Sequence, residues 1–334
     1  MRPSISILGT GGTIASTQTA SGATPSKRSE ELVSAIPQLN EYADLTVREV
    51  VQRPSFTMDF EAVDELREAI RQEIENGVNG VIVTHGTDTM EESAYLLDLT
   101  LESDVPVVFT GAQRSADELS ADGPSNLMTA VRLLTDERLL AAGGVYIAFD
   151  EKLHAARDVT KRHTHALDTF SSPDKGPIAV LTRETIRMYR SPGSYSDSLE
   201  LEDVDAPATV RTVKSGLGVD SAQLEDAIAA DVDGIVLEGT GLGNATTSLG
   251  NVVEQAIDAG IPVVVTSRCY AGSTAPVYGT AGGGQTLASH GARHGDDLST
   301  HKARLKLQLV LAQTETPTSL DRYFGASTYD SQQK

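Results

Sequence analysis

Thr10 and Thr13 stand among three glycines in the stretch SILGTGGTIAST, residues 6–17, directly after a short apolar run. A hydroxyl presented on a turn at the end of a strand can act as a nucleophile once a positioned base takes its proton. A glycine-rich loop also suits a phosphate, but the spacing argues against it. A dinucleotide fingerprint needs G-x-G-x-x-G, and counted from Gly9 the third position falls on Ile14. A P-loop closes on Gly-Lys-Ser/Thr, and no lysine occurs before Lys27. Further along, VIVTHGTDTMEESAYLL runs from an apolar strand through His85, Gly86, Thr87 and Asp88 into a helix. Open α/β sheets bind ligands at such carboxyl ends of strands. Thr89 and Glu92 match a capping box, which leaves Thr87 and Asp88 without a local duty. LHAARDVTKRHTHALDTF contributes Lys161, a base where burial or neighbouring groups favour its neutral form.

Other chemistries lack their residues. No Gly-x-Ser-x-Gly elbow occurs in the chain. His163 with His165, and His290 with His294 and His301, have no carboxylate or cysteine at a recognised ligand spacing, so neither a metal nor a cofactor is called for. Cys269, the single cysteine, follows the apolar run IPVVVTS and reads as an inert small side chain.

Positioning these residues falls to alternating strands and helices. Strands are expected over residues 5–8, 45–51, 80–84, 105–110 and 144–149. Between them, Phe60, Val63, Leu66, Ile70 and Ile74 recur at helical spacing, with Asp59 to cap the start and Gly77 to end the helix. TMEESAYLLDLTL and PSNLMTAVRLLTDERLL each read as one helix, the second with Pro124 at its start. Such alternation predicts a parallel sheet with helices on both faces. Residues 190–208 are rich in Ser, Pro, Asp and Glu without periodicity and read as a linker. Beyond it the alternation resumes on a smaller scale and closes on the helix THKARLKLQLVLAQT, while YGTAGGGQTLASHGARHGDD reads as a glycine-rich loop.

TGGTIAS and THGTDTMEE resemble the two signature motifs of the L-asparaginase/glutaminase amidohydrolase family. AIPQL, VPVVFTGAQR, SADGPSNL, RDVTK and HKARLKLQLVLAQT support the resemblance, in order along nearly the whole chain. It implies an α/β fold with a larger N-terminal domain, residues 1–189, whose mostly parallel sheet is flanked by helices, and a smaller C-terminal α/β domain, residues 209–334. The implied activity is hydrolysis of L-asparagine to L-aspartate and ammonia through an acyl-threonine, without cofactor, in a homodimer or homotetramer. By position, Thr13 matches the nucleophile, and Thr87, Asp88 and Lys161 match a group in which the lysine helps to deprotonate a threonine. Asp88 matches the residue binding the α-amino group, Ser55 the one binding the α-carboxylate, and Gly86 and Ala112 the segments touching the side-chain amide. The lid segment STQTASGATPSKRSEEL departs from many members in lacking tyrosine; its SGATPS resembles the lid of archaeal-type members and of the amidotransferase subunit that makes glutaminyl-tRNA, with Thr24 or a tyrosine from elsewhere to supply a hydroxyl. Tyr278 is the candidate for completing the amine site across a subunit interface.

The net charge of −20, with 47 acidic against 27 basic side chains, repels phosphate backbones and argues against nucleic acid as a partner. The chain offers no run of roughly 18 apolar residues, so no membrane span is expected. Met1-Arg2-Pro3 leads straight into the first strand without a leader pattern, which with the lone cysteine predicts a cytoplasmic protein. The same charge weighs against a second reading, the ammonia-producing subunit of a tRNA-dependent amidotransferase. That subunit carries a further leading domain, and only eight residues precede Gly9. A third reading, an amino-acid sensor on this fold, would not need both threonines, the aspartate and the lysine. An acidic field of this size destabilises the compact state unless salt screens it, so a salt-adapted protein is expected. Melting followed by circular dichroism should rise from millimolar to molar KCl, and an unchanged melting temperature would remove that reading.

Overall fold

The computed structural model describes residues 2–19, 22–25, 29–199, 201, 204, 207–313 and 320–325, and of 15–19 and 22–25 the backbone alone. The chain divides into two compact units, Met1–Ser198 and Leu199–Lys334.

In the first unit β1 (Ser4–Gly9) is followed by a hairpin of β2 (Ser16–Thr19) and β3 (Gly22–Pro25), then α1 (Ser29–Ser34) and β4 (Asp44–Glu49). Next come α2 (Phe60–Glu75), β5 (Gly80–Thr84), α3 (Met90–Thr100), β6 (Val107–Thr110), α4 (Gly123–Leu133) and α5 (Glu137–Leu140). The unit closes with β7 (Val145–Phe149), β8 (Lys152–Ala155), β9 (Thr160–Lys161), β10 (Phe170–Ser171), β11 (Ala179–Leu181) and β12 (Ile186–Met188). Eight strands form the main sheet in the order β12-β11-β8-β7-β6-β5-β1-β4. From β4 to β7 the neighbours are parallel; β8, β11 and β12 extend the edge antiparallel. The sheet is thus mostly parallel, as the alternation predicts. Its first five strands in sequence take the flavodoxin-like order 2-1-3-4-5, and this order reverses between β1 and β5, where a crevice opens at the carboxyl ends. Register places Gly9 beside Thr84 and Thr84 beside Thr110, so three strand ends lie level at that crevice.

Every residue of β5, β6 and β7 is buried, as covering on both faces requires. Ile5, Ile7, Ile82, Val108 and Ala148 share one core with Leu127, Val131 and Leu133 of α4. Asp59 caps α2 by accepting from the Ala62 N–H at 2.9 Å, and Gly77, at φ +86°, follows its end. The long helix expected over PSNLMTAVRLLTDERLL is instead two. Asp136 accepts from the Arg138 N–H at 3.0 Å and pairs with its guanidinium, so a capping residue starts α5 afresh after α4 has ended.

The second unit holds β13 (Val210–Lys214), α6 (Ala222–Ala229), β14 (Gly234–Gly239), α7 (Thr247–Asp258) and β15 (Val263–Ser267). It continues with α8 (Gly284–His290), β16 (Arg293–His294), α9 (Thr300–Gln313) and α10 (Leu320–Tyr323). Its four-stranded sheet is parallel and runs β13-β14-β15-β16 without reversal. The stretch read as a glycine-rich loop holds α8 and β16. The helix starts only at the third glycine, buries Leu287 and ends at Gly291 with φ +108°, too short a pattern for periodicity to reveal.

One buried carboxylate gives the first unit a pH dependence. Asp98 on α3 accepts from the Ser196 hydroxyl, and burial, aided by the nearby Asp158 charge, pushes its pKa up from 3.8 to about 6. Between those values the folded chain keeps a proton that the unfolded chain has released, so this residue's contribution falls as pH rises through the window. Above it the ionised group costs the fold about 3 kcal/mol. Asp98→Asn keeps shape and acceptor without the titration. It should raise the urea-unfolding free energy by up to about 3 kcal/mol near pH ~8 and leave it unchanged below pH ~4.

Candidate active site

The switch-point crevice begins with the TGGT turn. Thr10 is buried, and both its backbone N–H and its hydroxyl donate to the Thr84 carbonyl at 3.0 Å, so its oxygen is engaged in the sheet. Gly11 and Gly12 follow with φ +89° and +86°, which L side chains rarely adopt. A Cβ on Gly12 would lie 2.4 Å from the Gly86 nitrogen, so the two loops meet backbone to backbone. Thr13, half-buried, then opens a single turn of 3₁₀ helix, Thr13–Ala15. It sits between Gly12, backed by Gly86, and Ile14, which packs on Ala112 just beyond β6. Of the two threonines, Thr13 is the one not tied into the sheet through its neighbour's carbonyl.

On the other side of the crevice β5 delivers His85-Gly86-Thr87-Asp88 ahead of α3. Ser55, buried in a 3₁₀ turn after β4, lies against Gly86: a Cβ there would be 2.6 Å from the Ser55 hydroxyl oxygen. That oxygen accepts from the Asp88 N–H at 3.3 Å. The expected capping box does not form, because the Thr89 hydroxyl donates to the Ser55 carbonyl at 2.7 Å instead of capping α3. The diverted hydroxyl ties the Ser55 turn to the start of α3. Lys161 Nζ completes the group, donating to Thr87 Oγ1 at 2.9 Å and Asp88 Oδ1 at 2.7 Å. Thr87 is buried, whereas the Asp88 side chain is 57% exposed. Thr24 lies in β3 opposite Thr17, and its side chain is outside the described residues. Tyr278 is exposed and belongs to the C-terminal unit.

His85 is fully buried against Phe109, ring centroids 5.7 Å apart, and burial pulls its pKa down to about 4. It is therefore neutral near pH ~7. The Gly86 carbonyl 2.7 Å away can only accept, so Nδ1 carries the proton and donates to it. His163 is likewise occupied locally: its Nδ1 accepts from the backbone N–H groups of His165 and Ala166 at 3.1 and 3.0 Å.

Three supporting residues carry no role in the sequence analysis. Asp122 accepts from the backbone N–H groups of Gln113 and Arg114 and from Asn126, fixing the loop that begins at Ala112. Asn126 also donates to the Gly111 carbonyl at 2.9 Å and accepts from the Asp150 N–H at 3.1 Å. Glu91 accepts from the Lys161 N–H at 2.9 Å and the Thr160 hydroxyl at 3.2 Å. All three lie inside quoted motifs; the available signal was a buried polar residue in α3 or α4, or just before α4.

Fold and crevice define an enzyme-like α/β protein with hydroxyl, carboxylate and amine gathered at a switch point. Residues 4–193 match the family described as Asparaginase, N-terminal, and residues 209–324 the Glutaminase/Asparaginase C-terminal domain. L-asparaginase 2 of Escherichia coli is 36% identical over 336 residues, 97% of this chain and 93% of that protein. A glutamyl-tRNA(Gln) amidotransferase subunit of Methanosarcina mazei is 37% identical over 322 residues, 94% of this chain and 75% of that protein. The crystal structure of the probable cytoplasmic L-asparaginase from Campylobacter jejuni matches with a TM-score of 0.86 at 33% identity, over 96% of this chain and 99% of that one. The chain belongs to the asparaginase family and is an amidohydrolase.

Gly12→Ala tests the crevice directly. The added methyl must push the TGGT turn off Gly86, and a displacement of ~1 Å should lower turnover roughly a hundredfold. Circular dichroism should show the sheet retained.

Proposed function

We propose that the protein is an L-asparaginase that hydrolyses L-asparagine to L-aspartate and ammonia with Thr13 as nucleophile. The observation that carries this reading is the Lys161 Nζ held against both Thr87 and Asp88 at the switch point. Asp88, half-exposed there, receives the substrate α-ammonium, and Ser55 together with N–H groups at the start of α3 receives the α-carboxylate. Gly86 and Ala112 line the place of the side-chain amide. The Thr13 oxygen attacks the amide carbon as its proton passes through the Thr87–Lys161 pair. The tetrahedral intermediate collapses when the amide nitrogen takes that same proton from the pair and leaves as ammonia. Water, activated by the same pair, then cleaves the acyl-threonine ester to aspartate and restores Thr13.

With a charge of −20, selection of a small zwitterion is local to this crevice rather than a property of the whole field. A cytoplasmic, salt-screened homo-oligomer fits the same reading. The similarity to the amidotransferase of Methanosarcina mazei supports a second one, in which ammonia is made for a partner, and the acidic field disfavours the tRNA contact that reading involves.

Ammonia release by the purified protein in molar KCl should be well above background with L-asparagine and lower with L-glutamine; no release from either by folded protein would favour the partner-dependent reading. Thr13→Ala should lose about three orders of magnitude or more in kcat with a modest change in KM. Thr10→Val should instead keep turnover and lose about 1 kcal/mol of stability, because its hydroxyl serves the Thr84 carbonyl. A Thr13→Ala variant with near-native kcat would overturn the assignment.

A further inference from the structure

Lys161 lies on a strand that the main sheet does not hold. β9 is two residues long and pairs only with β10, in a small sheet of its own among the described residues. The Lys161 N–H does not enter even that ladder; it donates to Glu91 Oε1 at 2.9 Å, and the Thr160 hydroxyl reaches the same oxygen at 3.2 Å. Glu91 is 5% exposed and sits in the first turn of α3, where the helix dipole favours a carboxylate. The same helix start carries Asp88, and Thr87 immediately before it. One side chain therefore refers the backbone of the lysine to the element that bears both of its ligands.

We propose that Glu91 is a positioning residue that sets Lys161 Nζ against Thr87 and Asp88. This deepens the asparaginase reading and rests on it for the role of the lysine. Upstream, Asp158 is tied to Arg157 and, at 2.7 Å, to Arg190, so the RDVTK segment is anchored before Val159. Glu91 supplies the anchor at its other end. Its function is to accept two hydrogen bonds at a fixed reach, and the variants separate that from its charge. Glu91→Gln keeps an acceptor oxygen at the same reach, Glu91→Asp draws it back by one methylene, and Glu91→Ala removes it and leaves the Lys161 N–H unpaired.

Steady-state ammonia release should show kcat reduced roughly ten- to a hundredfold in Glu91→Ala, with KM within about threefold of wild type. Glu91→Gln should restore kcat to within about threefold, and Glu91→Asp should fall between. If the alanine variant fails to fold, the Asp and Gln pair carries the same comparison. Reductive methylation with formaldehyde and cyanoborohydride, read by mass spectrometry, gives a measure independent of turnover. Lys161, 13% exposed, should be modified slowly in the wild type relative to Lys152, 36% exposed, and faster in Glu91→Ala or Glu91→Asp but not in Glu91→Gln. Unchanged kcat and unchanged labelling in Glu91→Ala or Glu91→Asp would overturn the proposal, as would a Gln variant as impaired as the Ala or Asp one. Wild-type protein without turnover, but with the labelling contrast intact, would sink the asparaginase reading and leave the positioning role standing.

Discussion

Two glycine backbones pressed together across the crevice constrain everything around them. Gly12 can approach Gly86 only because neither has a Cβ, and Gly12 holds the turn only because it tolerates φ +86°. That contact sets the depth at which Thr13 emerges from the end of β1. On its far side, Gly86 is backed by Ser55, whose hydroxyl and carbonyl are both bonded to the start of α3. The nucleophile candidate, the carboxylate-binding candidate and the Thr87-Asp88 pair thus belong to one packed unit. A side chain added at either glycine changes all three positions together.

Around this contact, buried polar side chains on or just ahead of helices hold the loops that the sheet releases. Asp122 and Asn126 fasten the chain after β6 through backbone groups, and Glu91 does the same for β9. Buried backbone donors must find acceptors, and loops at strand ends have no ladder to supply them. Carboxylates and amides on or just ahead of helices meet that demand. His85 fits this scheme as a neutral ring bonded to the Gly86 carbonyl, a structural histidine beside the chemistry.

Much of this arrangement was legible from residue types. β5 is announced by its continuous apolar run, α2 by its periodicity and its Asp59 cap, and the crevice by motifs ending two neighbouring strands. What escaped has physical reasons. β8 to β12 are two to four residues long, too short for alternation to register. The break between α4 and α5 depends on Asp136 capping rather than continuing a helix, and both uses fit the same local pattern. Thr89 and Glu92 satisfy the capping-box spacing, yet the Ser55 carbonyl, 34 residues away in sequence, claims the hydroxyl. Glu91 and Asn126 look like ordinary helix residues, and Asp122 like an ordinary cap, until the loops they hold are seen beside them.

The 74 residues separating Thr87 from Lys161 have a consequence for biosynthesis. On a ribosome adding ~5–20 residues per second, the threonine and aspartate emerge about 4–15 seconds before the amine that pairs with them. During that interval β6, β7 and β8 are still being added to the nascent sheet, and Asp88 lacks the Lys161 side chain that later pairs with it. The hydrogen-bonded group of Thr87, Asp88 and Lys161 is incomplete until β9 arrives and docks. On the proposed mechanism, a partly made chain would therefore be inert toward amides, including those of its own asparagine and glutamine side chains.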